Sequence, residues 1–338
     1  MVTEQPADPP RPPGLRTWFS ARRRLEFCLT LASVTLLTGA CLALVMMPRN
    51  VGALQLAGSD EAEVLGAAVG ADDPRLSAVR RDLQPFGPVL VRRAPAGGGQ
   101  DALLVAHAAN SGDLDVLEAE LAPSVADVSR VWGTGWNRAP IVVIASSTAE
   151  FTALTRAANA VVSPDAAAVT LSGGSGADVQ RVVFHPDAGR RMGREGLGTL
   201  LRHELTHVAT RAQTVDDAPM WMLEGYADFV SQHGRATSFS QVAPTLTTRL
   251  RAGTLPTGLV PDAAFGGVEA PLAYETAWST CAFVADRYGV PALTELYRRV
   301  AASPQSPAAL DGALGAVLGI STPALLDGWR EWLQARSL

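Results

Sequence analysis

The chain has 338 residues, 47% of them hydrophobic, with a formal net charge of −5, enough for one large core or two modest ones. Every basic residue is arginine, and the acidic balance gives nucleic acid no electrostatic footing. Cys28, Cys41 and Cys281 form no Cys-x-x-Cys pair and leave the globular part with one thiol, which excludes a cysteine metal site and an internal disulfide there.

Residues 1–24 are rich in proline and arginine and are expected to form a disordered tail. Residues 25–47 are apolar apart from Glu26 at their edge, long enough to cross a bilayer as one helix. Arg11, Arg16, Arg22, Arg23 and Arg24 precede this run and only Arg49 follows closely. That asymmetry predicts a cytoplasmic N-terminus, a single membrane pass and an extracytoplasmic remainder. A cleaved signal peptide shares the pattern, but its apolar core is shorter and no small-x-small site follows Met47. A lipoprotein is a third reading, from Thr38-Gly39-Ala40-Cys41, although more apolar residues follow. The anchor is the expectation adopted. Residues 48–100 read as a spacer with one small piece of uncertain fold, including a short strand over 83–91 and a flexible break at 94–99.

From Asp101 strands and helices alternate. Strands are predicted over 102–108, 141–145, 169–172 and 181–185, with helices over 113–132 and from Thr148, where Ser147 is a suitable cap. His185 ends a strand and is read as structural.

His203-Glu204-Leu205-Thr206-His207 follows, in a helical stretch of a chain with five histidines. Residues four apart project from one helix face, so the two imidazoles can meet at one metal ion. Glu204 sits roughly 100° around the helix from His203, close enough to reach a water without being a ligand. Two nitrogen ligands, an open position and a nearby base are the parts of a zinc hydrolase. A third ligand must come from elsewhere. The stretch 217–229 offers one: Asp217 suits an N-cap and Pro219 a first helical turn, while Glu224 and Asp228 share a face. Met220, Trp221, Leu223 and Phe229 are the apolar residues expected to pack inward, and Gly225 is expected to let this helix approach the first.

These two helices resemble the gluzincin metallopeptidases, the group that includes thermolysin and the zinc aminopeptidases. Trp221-Met222-Leu223-Glu224-Gly225-Tyr226-Ala227 is similar to the Trp-Leu-x-Glu-Gly-x-Ala signature of membrane-associated and secreted bacterial members. The resemblance is specific over 197–230 and loose over the rest of 101–338. It implies a zincin-like α+β catalytic domain: a small mixed sheet with helices before the metal helix, and an all-helical C-terminal half. It further implies Zn2+ held by His203, His207 and Glu224, Glu204 as general base, and Asp228 behind His203. By the same resemblance the strand just before the metal helix, residues 181–185, is the sheet edge on which an extended peptide pairs.

Beyond Val230 the pattern is helical, with Gln232-His233-Gly234 as a helix end and helices over 244–251, 272–288, 291–302, 307–318 and 322–335. His233 is read as capping. Tyr274 has two readings: an oxyanion donor, as some gluzincins hold, or a tyrosine packed with its hydroxyl on a helix end. Glu275 is expected to be a solvated helix residue. The expected function is thus an anchored, extracytoplasmic zinc metallopeptidase acting on peptide or protein substrates. Nothing like the exopeptidase motif Gly-Ala-Met-Glu-Asn precedes the metal helix, which favours an endopeptidase. Two rivals stand beside it: an inactive zincin-like module that binds a peptide or wall component, and an anchored interaction domain without metal.

Overall fold

Five short strands, the central ones continuous apolar runs, make one sheet. The computed structural model describes residues 73–157, 166–171, 180–304 and 306–336. The expected tail, membrane segment and start of the spacer lie outside them. Among the described residues no single helix is long and apolar enough to cross a membrane.

The strands are β1 (Leu90–Pro95), β2 (Asp101–Ala106), β3 (Ile141–Ile144), β4 (Ala168–Leu171) and β5 (Arg181–Phe184), in the spatial order β1-β2-β3-β5-β4. β2, β3 and β5 run parallel, while β1 and β4 are antiparallel to their neighbours. Both faces of this centre are covered. Leu104, Val142, Ile144, Val182 and Phe184 enter one buried cluster, and Leu103, Val105, Ile141, Val143 and Val183 enter another. Burial on both sides explains why Ile141-Val142-Val143-Ile144 carries no polar alternation.

Two expectations change here. Leu76, Val79 and Leu83 recur at helical spacing, so 76–83 is helix α1 (Leu76–Leu83), and the strand expected over 83–91 starts only at Leu90. The glycine-rich break becomes the turn between β1 and β2, so the sheet begins ahead of Asp101. More important for the site, 181–184 is not the edge. Val182 and Val183 are completely buried, β5 pairs with β3 on one side and β4 on the other, and β4 is the edge strand. The strand with polar, half-buried Thr170 at its centre takes the edge, and the strand without a polar centre goes inside.

The remaining helices are α2 (Ser111–Trp132), α3 (Thr148–Ala157), α4 (Ala188–Thr210), α5 (Met220–Gln232), α6 (Phe239–Val242), α7 (Pro244–Arg251), α8 (Ala270–Tyr288), α9 (Val290–Val300), α10 (Pro307–Leu318) and α11 (Thr322–Gln334). Ser147 caps α3 as expected, its Oγ accepting from Glu150 N at 3.2 Å. α4 bends at Gly193, whose φ of 67° lies in the left-handed region that glycine alone enters cheaply. The architecture is therefore mixed α+β, with helices throughout its C-terminal half.

Candidate metal centre

α4 and α5 lie side by side, and buried Arg202 on α4 joins them. Its Nε donates to Ser231 O on α5 at 3.3 Å, and its Nη1 is 3.7 Å from Asp127 on α2. α5 is oriented from elsewhere too. Asp217 does not cap it. Pro219 occupies the cap position, and Asp262 Oδ1, far along the chain, accepts from Met220 N at 3.0 Å. Gly225 allows a close approach, but to α8: a Cβ there would stand 2.5 Å from Ala277 O and 3.1 Å from Cys281 Sγ. The inward-facing residues are Met222, Tyr226 and Val230 along with Trp221 and Phe229, while Met220 and Leu223 line the cleft.

Within this frame three side chains converge. His203 Nε2 is 3.1 Å from His207 Nε2 and 3.3 Å from Glu224 Oε2, and His207 Nε2 is 3.7 Å from the same carboxylate oxygen. Zinc–ligand bonds of ~2.0–2.1 Å at tetrahedral angles put neighbouring ligand atoms about 3.3 Å apart, so these separations fit one edge-sharing face of such a site. Among the described residues this is the trio of potential ligands that could hold one ion. His203 Nδ1 lies 2.8 Å from Asp228 Oδ1, which fixes the ring's tautomer and leaves Nε2 facing the trio.

The electrostatics agree with a cation's place. Burial alone would drive the proton off His203, but Asp228 and Glu224 outweigh it and hold the ring's pKa well above its ordinary value. Burial likewise opposes the charge on Glu224, yet the imidazoles of His207 and His203 keep its carboxyl far below the usual range. A buried carboxylate crowded by two imidazoles is a setting in which a divalent ion can take the place of the shared proton.

Glu204 is buried beside the trio, and Thr170 on β4 reaches it: Thr170 Oγ1 is 2.7 Å from Glu204 Oε2 and 3.1 Å from Glu204 O. Tyr274 lines the same cleft, its ring edge-on to Phe265 at 5.1 Å. Burial, then the carboxylates of Glu224, Asp228 and Glu204, raise its phenol pKa, so it stays an O–H donor. Glu275, next to it, is not solvated as expected; its Oε2 accepts from Leu246 N at 2.6 Å and caps α7. His185 sits at the end of β5, bonded to Thr148 and Asp187 away from the cleft, and His233 stacks on Phe229 at the end of α5.

The cleft has a volume of about 1280 Å³, beyond the ~300–1,000 Å³ of small-molecule pockets. β4 forms one wall, and Met220, Leu223, Phe265 and Pro271 contribute apolar surface. Its peripheral charges are engaged: Arg211 pairs with Asp216, and Asp262 holds the start of α5. Thr170 and Asp262 escaped the sequence reading. The first had a signal in the polar centre of a predicted strand; the second had none.

Two imidazoles, one carboxylate ligand and a second carboxylate beside them define a candidate divalent-metal centre. No protein-family model and no curated protein matches the chain. Among solved structures it is similar to an M1 zinc metallopeptidase from Deinococcus radiodurans, at 18% identity and a TM-score of 0.47, covering 75% of this chain and 53% of that one. It is also similar to a two-domain M1 zinc metallopeptidase mutant bound to L-arginine, at 17% identity and a TM-score of 0.46, covering 74% and 52%. The chain spans about half the length of these structures. At such identity the likeness stops short of chemistry, which the side chains themselves must define.

Proposed function

We propose that this protein is a zinc-dependent peptidase, with His203, His207 and Glu224 as ligands and Glu204 as general base. The observation that carries the reading is the convergence of the three ligand atoms beside a buried, unliganded carboxylate. A zinc ion held there supplies Lewis acidity and acidifies water from a pKa of 15.7 towards about 7. Asp228 keeps the lone pair of His203 Nε2 directed at the ion's place. Glu204 takes a proton from the attacking water and returns it to the leaving amine. Tyr274, held protonated by its surroundings, donates to the oxyanion. β4, the edge strand among the described residues, offers its outer side to the main chain of an extended substrate. The size of the cleft and its engaged peripheral charges favour an internal peptide segment over a chain terminus, hence an endopeptidase.

The test is Glu204→Gln, which keeps the shape and removes the base. Zinc content should be unchanged while turnover of a mixed peptide pool falls by about 10²–10⁴-fold. Equal turnover would defeat the mechanism, and a wild-type protein that binds zinc without cleaving would leave the inactive peptide-binding module as the reading. The apolar run at 25–47, flanked by arginines on its N-terminal side, supports single-pass anchoring with the peptidase unit outside the cell. In a background with its native cysteines changed to serine, Asp60→Cys should react with an impermeant thiol reagent on intact cells; protection there would reverse the orientation.

A further inference from the structure

A general base must be held in place to meet the water it activates, and Thr170 on β4 reaches the carboxylate of Glu204. Thr170 Oγ1 stands within hydrogen-bond distance of two acceptors of one residue, the carboxylate Oε2 at 2.7 Å and the main-chain carbonyl at 3.1 Å. A hydroxyl carries one proton and two lone pairs, so it can donate to only one of them at a time. The hydroxyl donates to Oε2 and holds that carboxylate oxygen against the strand, with the main-chain carbonyl of the same residue also within its reach.

The strand fixes this geometry. Thr170 pairs with Val182 in the β4–β5 ladder, and its side chain shares a face with Ala168, toward α4, while Val169 and Leu171 point into the opposite cluster. The carbonyl it reaches is that of Glu204 itself, in the middle of α4, so strand and base are registered to each other directly. α4 and β4 are in contact at this point, and both lie in the wall of the cleft.

We infer that Thr170 is a positioning residue for the general base, its hydroxyl bond fixing where the Glu204 carboxylate points. This rests on the reading of Glu204 as base, and the two can fail separately. Thr170→Val keeps the β-branched shape and removes the hydroxyl, whereas Thr170→Ser keeps the hydroxyl and removes a methyl. Both variants, the wild type and the same pair in a Glu204→Gln background are compared as full chains, by zinc content and by kcat and KM on one fluorogenic peptide selected from the mixed pool.

Thr170→Val is expected to lower kcat by about 10- to 100-fold, the worth of a hydrogen bond to a charged group, with KM and zinc content unchanged. Thr170→Ser should recover kcat to within a few-fold of wild type. In the Glu204→Gln background Thr170→Val should cost little more in kcat, because the side chain it positions no longer serves as a base. Wild-type kcat in Thr170→Val overturns the inference, as does an equal loss in Thr170→Ser, a change in KM alone, or a full additional loss in the Glu204→Gln background. If Glu204→Gln itself is fully active, it is the assignment of the base that falls.

Discussion

Asp228 holds His203 through Nδ1 at 2.8 Å, and removing its charge without its size isolates that support. Asp228→Asn is expected to weaken zinc binding about 10–100-fold, measured by competition against a chromogenic chelator, with the far-ultraviolet spectrum unchanged. Undiminished affinity would show that the ring needs no such partner. At this scale the site was legible where it is local. His203 and His207 are one turn apart on one helix, and Glu224 and Asp228 repeat that spacing on the next, so the 3.6-residue period alone pairs them. Partners separated along the chain by 34 residues, as Thr170 and Glu204 are, or by 42, as Asp262 and Met220 are, leave no periodic trace. Asp217 looked like the cap of α5 because it stands just ahead of Pro219; tertiary contact gave that task to Asp262.

Between elements, the tightest constraint on the site is the contact of α5 with α8. Gly225 adjoins Glu224, the proposed ligand, and faces the Ala277 carbonyl, with backbone and not a flexible side chain as the nearest obstacle. Gly225→Ala must separate the two helices, at a cost of about 1–3 kcal/mol, visible as a lowered Tm and, because Glu224 moves with α5, as weaker zinc retention. An unchanged Tm would mean that the helices have slack. The sequence displayed the glycine but not the helix it serves. The sheet shows the same limit: strand positions follow from runs such as Ile141–Ile144, but their lateral order is set by which faces the helices cover. Placing the edge at 181–185 followed the resemblance, in which the strand just before the metal helix is the edge; here β4 lies outside β5.

Across the whole molecule, the N-terminal side of the described residues is tied to the sheet by charge. Asp73 is buried between Arg75 and Arg93, with Arg75 Nη2 at 2.8 Å and Arg93 Nη2 at 3.2 Å. Hydrogen bonding from Arg75 is the largest influence, and its carboxyl pKa falls below the ordinary value despite burial. A carboxyl with a depressed folded-state pKa contributes stability that is complete above the unfolded value of about 3.9 and is lost as pH drops through the folded value. Asp73→Asn should therefore lower the Tm at neutral pH and lessen the further fall of Tm below about pH 4; parallel curves for variant and wild type would exclude Asp73 as a contributor.

The edge place of β4 carries a last consequence. A guest that docks by lending its amides and carbonyls to that rail must first have released them from any helix or sheet of its own. If the proposed peptidase function holds, the protein is expected to sort targets by folding state before it meets their side chains, accepting linkers, frayed ends and misfolded chains and turning intact domains away.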